Sequence, residues 1–127
     1  MVRFAWICLG GAIGTGARYL TALWAASALG TAFPFGTLIV NVVGSFLIAF
    51  IMQVAGSTEW ISVDLRLTLT TGVMGGFTTY SAFNYETTSY LREGAWAAGA
   101  ANVSATLAGC LVAGLAGMMA ARMLVGR

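Results

Sequence analysis

Chemically active side chains in this sequence concentrate in one hydrophobic stretch, residues 72–86, which reads GVMGGFTTYSAFNYE. Two adjacent glycines, Gly75 and Gly76, are followed there by a hydroxyl pair, two aromatic rings and a carboxylate. Each glycine weakens a helix by about 1 kcal/mol relative to alanine. In a bilayer, backbone groups released by a broken helix survive only inside protein or beside a water-filled cavity. A break between Gly75 and Thr79 therefore predicts a site on a membrane pathway.

The composition requires a membrane around this site. Hydrophobic residues make up 59% of the chain and charged residues 8%, whereas a soluble domain has about 25% charged residues. Runs long enough to cross the hydrocarbon core, about 20 residues each, predict four spans at residues 4–26, 36–55, 67–90 and 94–121. We interpret the N-terminal run as a retained first helix and not as a cleaved signal peptide. The prediction is one all-α domain over residues 1–127, multi-pass in the inner (plasma) membrane.

Several functions are excluded by what the sequence lacks. It contains no His and no Lys, and it has no nucleophile–base pair, so no enzyme is predicted. Cys8 and Cys110 lack metal-ligand spacing and are expected to be buried thiols. A net charge of +2 without a basic cluster gives no reason to expect nucleic-acid binding. The arginines are nearly balanced between the two ends of the spans, which favours cytoplasmic termini only slightly.

The first two spans each carry a polar side chain, which is costly to place in a membrane-spanning helix. Arg18 lies near the end of the first span, where it either reaches the interface or sits in a wet vestibule that gathers anions. Thr37, Asn41 and Gly44 share one face of the second span by helical spacing. The Asn41 amide either holds helices together or faces a pathway, and the sequence favours neither.

The fourth span carries Asn102, Thr106 and Cys110 four residues apart, in one line along an otherwise apolar helix. The line predicts either interhelical hydrogen bonds or a polar track. In the third span, Tyr80 and Phe83 are either core rings or a source of positive ring edges for an anion.

Glu86 is the deepest carboxylate, and it is expected to pair at the interface, with Arg92 as one partner, or to act electrostatically near a pathway mouth. Donor groups outnumber acceptor-only groups in the spans, which leans towards an anion as the transported species.

Three blocks in the sequence resemble the Fluc (CrcB) fluoride channel family, and they occur in the family's order across nearly the whole chain. The blocks are GGAIG with Arg18-Tyr19, GTLIVNVVGSF from Gly36, and TGVMGGFTTYSAF from Thr71. The resemblance implies an antiparallel, dual-topology homodimer with two narrow fluoride pores. It also implies a central structural sodium ion at the dimer interface, held by the backbone carbonyls of Gly75 and Thr78 from both subunits.

The resemblance further implies which residues line the fluoride pathway. They are Arg18, Thr37, Asn41, Tyr80, Ser81, Phe83, Glu86, Asn102, Thr106 and Cys110. The sequence departs from the family pattern at Tyr80, where a phenylalanine is usual, and at Ala82, where a threonine is usual. Cys110 is a weaker donor than a hydroxyl.

We therefore predict a fluoride-selective channel that exports fluoride passively from the cytoplasm. One alternative is a small proton-coupled multidrug transporter of four-helix type, which needs a carboxylate in its first span, where this chain has Arg18. The other is a non-transporting structural membrane subunit, which leaves the predicted break without a purpose.

Overall fold

The computed structural model describes residues 1–126, and they form four membrane-crossing units made only of helices. The elements are α1 (Val2–Leu29), α2 (Phe35–Ser57), α3 (Val63–Leu67), a π-helical segment (Thr68–Met74), α4 (Gly75–Phe77), α5 (Tyr80–Arg92) and α6 (Trp96–Val125). We call the succession from α3 to α5 the third span. The predicted all-α architecture with a broken third span is confirmed.

The distribution of burial in this chain differs from that in a soluble protein. The amides of Asn102 and Asn41 are buried, at 1% and 9% exposure, whereas Leu20 and Leu111 are 65% and 70% exposed. Exposing leucine while burying asparagine is favourable only when the surroundings are apolar and the amides have partners. The subunit is therefore an integral membrane protein.

Hydropathy and length by themselves identify two of the four crossings, α2 and α6. With 23 and 30 residues, these helices are about 35 and 45 Å long at 1.5 Å per residue. Arg18 and several glycines lower the mean hydropathy of α1, and the third span is interrupted. The four predicted spans nevertheless match the observed helices to within a few residues.

Glycines allow the helices to pack closely. The π-helical segment and α4 lie against α1, α2 lies along α6, and α5 packs on α6. A Cβ added to Gly14 would overlap the carbonyl oxygen of Val73, and one added to Gly76 would overlap that of Gly11. Between α6 and α2, Gly117 approaches the backbone of Phe46 in the same way. Small residues at these contacts let the helix backbones approach each other.

The expectation that both cysteines are buried is wrong for Cys8, which is exposed on the outer face of α1, while Cys110 is half-buried. The connection between the second and third spans is short, because Ser62 caps a helix that begins at Val63 by accepting the Leu65 N–H at 3.3 Å. The chain turns after Arg92, where Gly94 has φ +75°.

Candidate functional site at the broken span

The break in the third span lies two to three residues after the glycine pair. Gly75 and Gly76 are helical, whereas Thr78 (ψ 160°) and Thr79 (ψ 116°) are extended. The predicted break between Gly75 and Thr79 is therefore confined to its last two residues. Gly76 instead allows the close approach to the backbone of Gly11 described above.

The break is held by the side chain of Asn41, which reaches across from α2. Its Oδ1 accepts the Thr79 N–H at 2.8 Å, and its Nδ2 donates to the Thr79 carbonyl at 2.9 Å. Thr79 in turn begins α5, because its hydroxyl accepts the Ala82 N–H at 3.2 Å. The buried amide thus satisfies the backbone that the break exposes, as the absence of water in a bilayer demands.

These contacts release two carbonyl groups beside the break. In a continuous helix, the Gly75 carbonyl would accept from Thr79 and the Thr78 carbonyl from Ala82. Both N–H groups donate to side chains instead. The Thr78 carbonyl accepts a long hydrogen bond from Arg18 Nη1 at 3.3 Å. The Gly75 and Thr78 carbonyls, which the resemblance assigns to a cation, are therefore among those that lose their regular partners.

A broad groove of about 510 Å³ opens beside the break, between α2, the third span and α6. Its lining includes Gly75 and Thr78, and it also includes five of the predicted pathway residues: Asn41, Tyr80, Phe83, Thr106 and Cys110. The rings of Tyr80 and Phe83 are 5.8 Å apart and tilted by 57°, a common geometry for aromatic pairs. Phe83 is buried at 8% exposure, whereas Tyr80 is 76% exposed and lies at the open side.

The predicted polar line on α6 divides between two roles. Thr106 lines the groove, and its buried Oγ1 has no hydrogen-bond partner among residues 1–126. Asn102 is fully buried instead, and its Nδ2 donates to the Thr87 hydroxyl at 3.0 Å. Thr87 donates to the Phe83 carbonyl at 2.8 Å, so it connects α6 to the aromatic pair. The sequence analysis missed Thr87, although it follows Phe83 by one helical turn.

Arg18 and Thr37 lie in a second, smaller cavity of about 190 Å³, together with Thr79. The Thr37 hydroxyl donates to Glu86 Oε1 at 2.5 Å, while the buried Glu86 Oε2 has no partner in the described residues. Glu86 does not pair with Arg92 within residues 1–126. Thr37, Asn41 and Gly44 all contact the third span, as their predicted common face requires.

Ser81 stands apart from both cavities. It is exposed, and its hydroxyl lies 3.3 Å from that of Thr79. One subunit thus brings five of the ten predicted pathway residues into the groove and places Arg18 and Thr37 in the second cavity. Glu86 lines a third cavity of about 240 Å³.

These features define a class: a small four-span membrane protein whose third span is interrupted beside a groove lined by uncharged residues, some of them polar. The sequence model of the family described as "CrcB-like protein, Camphor Resistance (CrcB)" matches residues 5–118. The chain therefore belongs to the CrcB family.

Curated relatives match the chain over almost its whole length. It is 54% identical over 125 residues to the "Fluoride-specific ion channel FluC" of Sorangium cellulosum, covering 98% of each chain. It is 56% identical over 126 residues to the protein of the same name from Anaeromyxobacter sp. (strain K), covering 99% of this chain and 100% of the relative. A relative with that name from Geobacter sulfurreducens is 51% identical over 118 residues, covering 93% and 95%.

Proposed function

We propose that this chain forms a fluoride-selective channel in the plasma membrane, through which fluoride leaves the cytoplasm passively. The observation that best supports this function is the lining of the groove beside the break. It contains hydroxyls, an amide, a thiol and aromatic rings, and none of its lining residues is charged. Relatives at 54–56% identity over the full length carry the name of a fluoride-specific channel. A channel is not an enzyme, in keeping with the sequence prediction.

The chemistry of the lining suits a small, strongly hydrated anion. A conducting site must replace the water around the ion yet let the ion leave again. Neutral donors such as the Thr106 hydroxyl, and the positive edge of the Phe83 ring, attract an anion without trapping it. The free Thr106 Oγ1 is a donor available to such an ion. Arg18, outside the groove, would raise the local anion concentration.

We assign the pathway itself to the ten residues named from the resemblance, as part of the same proposal. Asn41, Tyr80, Phe83, Thr106 and Cys110 support this by sharing one groove. The remaining five lie outside the groove lining: Arg18, Thr37, Ser81, Glu86 and Asn102.

The functional unit in this proposal is an antiparallel, dual-topology homodimer with two pores. The groove of one subunit is open on one side, so a single subunit does not enclose a path for an ion. Tyr80, Leu107 and Leu111 line the groove and are 76%, 56% and 70% exposed. A second copy of the chain would cover these side chains and close the groove. The weak arginine bias permits insertion in both orientations.

A structural sodium ion at the dimer interface completes the proposal. The carbonyls of Gly75 and Thr78 fit it, because the break removes their regular donors and oxygen atoms are the ligands that hard cations prefer. Gly75 is exposed and lines the open groove, where a second subunit would bring its own pair of carbonyls. Bound there, sodium would supply positive charge that ties the two broken spans together.

The proposed function is tested by fluoride efflux from proteoliposomes, measured with a fluoride electrode and with chloride efflux as the comparison. We expect rapid fluoride release, negligible chloride release and no dependence on a proton gradient. Phe83→Ile should reduce fluoride release by at least tenfold, while Leu20→Ile on the outer face of α1 should leave it unchanged. Proton-coupled cation uptake would instead support the multidrug-transporter alternative, and release of neither halide would support a structural subunit.

A further inference from the structure

The guanidinium of Arg18 lies beside one of the two carbonyls proposed to hold the sodium ion. Its Nη1 is 3.3 Å from the Thr78 oxygen, and the side chain is half-buried. Among residues 1–126 the ion pair within 4 Å is Arg3 with Asp64, so no carboxylate of the described chain neutralises Arg18. Glu86 accepts a hydrogen bond from Thr37 and none from the arginine.

This placement has an electrostatic consequence for any cation at the break. A guanidinium remains protonated under all physiological conditions. Like charges a few ångströms apart repel each other, and more strongly where little water separates them. In a symmetric dimer, two copies of Arg18 would flank the carbonyls that the two subunits contribute.

We infer that the charge of Arg18 opposes sodium at the break and thereby sets the affinity of that site. In the separate subunit the guanidinium satisfies the Thr78 carbonyl. In the dimer, sodium must bind the same oxygen against the arginine's charge. An anion in the cavity that Arg18 lines would offset this charge, so the binding of anion and sodium is mutually favourable. This inference rests on the proposed sodium ion and dimer.

The test measures sodium binding directly and not channel activity. The purified dimer in detergent is titrated with Na⁺ at constant ionic strength, with N-methyl-D-glucamine as the replacing cation. The Na⁺ midpoint is the concentration that gives half of the maximal change. It is read from the thermal unfolding temperature and from the dimer fraction in size-exclusion chromatography. Arg18→Gln removes the charge and should lower the Na⁺ midpoint about tenfold or more. Arg18→Lys keeps the charge and should stay within about threefold of the wild type.

Arg92→Gln is the matched control, since it removes one positive charge at an exposed position in the last turn of α5. It should leave the sodium midpoint unchanged. An unchanged Na⁺ midpoint in Arg18→Gln overturns the inference. A raised midpoint also overturns it, because it would mean that Arg18 positions the Thr78 carbonyl for sodium.

If Arg18→Gln does not form a dimer, a measurement on the wild type still tests the inference. Replacing gluconate by fluoride should lower the wild-type Na⁺ midpoint, and a midpoint that ignores the anion overturns the inference. A wild type insensitive to Na⁺ overturns both the inference and the sodium ion. The channel function is judged separately, by fluoride efflux from the same preparation.

Discussion

At the scale of single residues, Asn41 decides where the third span breaks. The sequence left two roles open for this amide, helix attachment and pathway lining. In the structure it bonds Thr79 through both of its polar atoms and also lines the groove. The two roles coincide because a released backbone in a membrane needs a polar partner, and that partner then lies beside the opening.

Asn41→Asp changes one atom type and should disturb both roles. The carboxylate still accepts the Thr79 N–H, but it faces the Thr79 carbonyl without a donor and brings negative charge to the groove. We expect a loss of about 2 kcal/mol in unfolding free energy and at least a tenfold drop in fluoride efflux. Normal efflux with Asp at position 41 would contradict the pathway assignment.

Thr106 offers a different prediction, because its buried hydroxyl has no partner among the described residues. Thr106→Val keeps the shape of the side chain and removes an unsatisfied polar group, so stability should stay equal or rise by up to about 1 kcal/mol. Fluoride efflux should nevertheless fall, because the groove loses a donor. Thr88→Val, at an exposed position, serves as the control. An efflux unchanged by Thr106→Val would show that this hydroxyl is not on the pathway.

At the scale of elements, the first half of the third span is shaped by its contact with α1. Its π-helical turns are unusual, and such segments are often found near functional sites. The hydroxyls of Thr68 and Thr70 donate at 2.8 Å to the carbonyls of Asp64 and Arg66, four residues earlier. The Asp64 carbonyl also accepts the Thr68 backbone N–H, so the Thr68 hydroxyl adds to the backbone hydrogen bonding where the π-helical segment begins.

The tight contact with α1 gives a paired prediction for two glycines on opposite sides of one turn of that helix. A Cβ at Gly14 would overlap the Val73 carbonyl, whereas a Cβ at Gly16 would meet nothing within 4 Å. Gly14→Ala should therefore destabilise the subunit by at least about 2 kcal/mol, as overpacking does. Gly16→Ala should be neutral or stabilising by up to about 1 kcal/mol, from helix propensity. Thermal unfolding in detergent measures both, and equal effects would refute the contact.

At the scale of the whole molecule, the groove of a single chain is incomplete. It exposes apolar and aromatic side chains next to released carbonyls, and one subunit leaves it open. The proposed antiparallel dimer closes it with a second copy. This arrangement requires that the chain insert in both orientations, which a nearly balanced set of arginines allows.

Dual insertion predicts a specific labelling pattern in cells. With Cys8→Ala and Cys110→Ala as background, Thr31→Cys and Ser62→Cys each place one thiol in a loop at opposite membrane faces. An impermeant maleimide added outside should label about half of each variant, and permeabilised cells should show full labelling of both. Complete labelling of one loop with none of the other would exclude the antiparallel dimer.

The sequence by itself determined the membrane environment, the four crossings and the presence of a break, because hydropathy and helix weakness are local properties. The position of the break was decided by tertiary structure, since Asn41 lies 38 residues from Thr79 in sequence. The same holds for Asn102, whose amide is taken by Thr87, and for Arg18, whose charge reaches the Thr78 carbonyl. Hydrogen bonds between distant residues depend on how the helices pack. The spacing of residues within one span does not show which residue of another span they will meet.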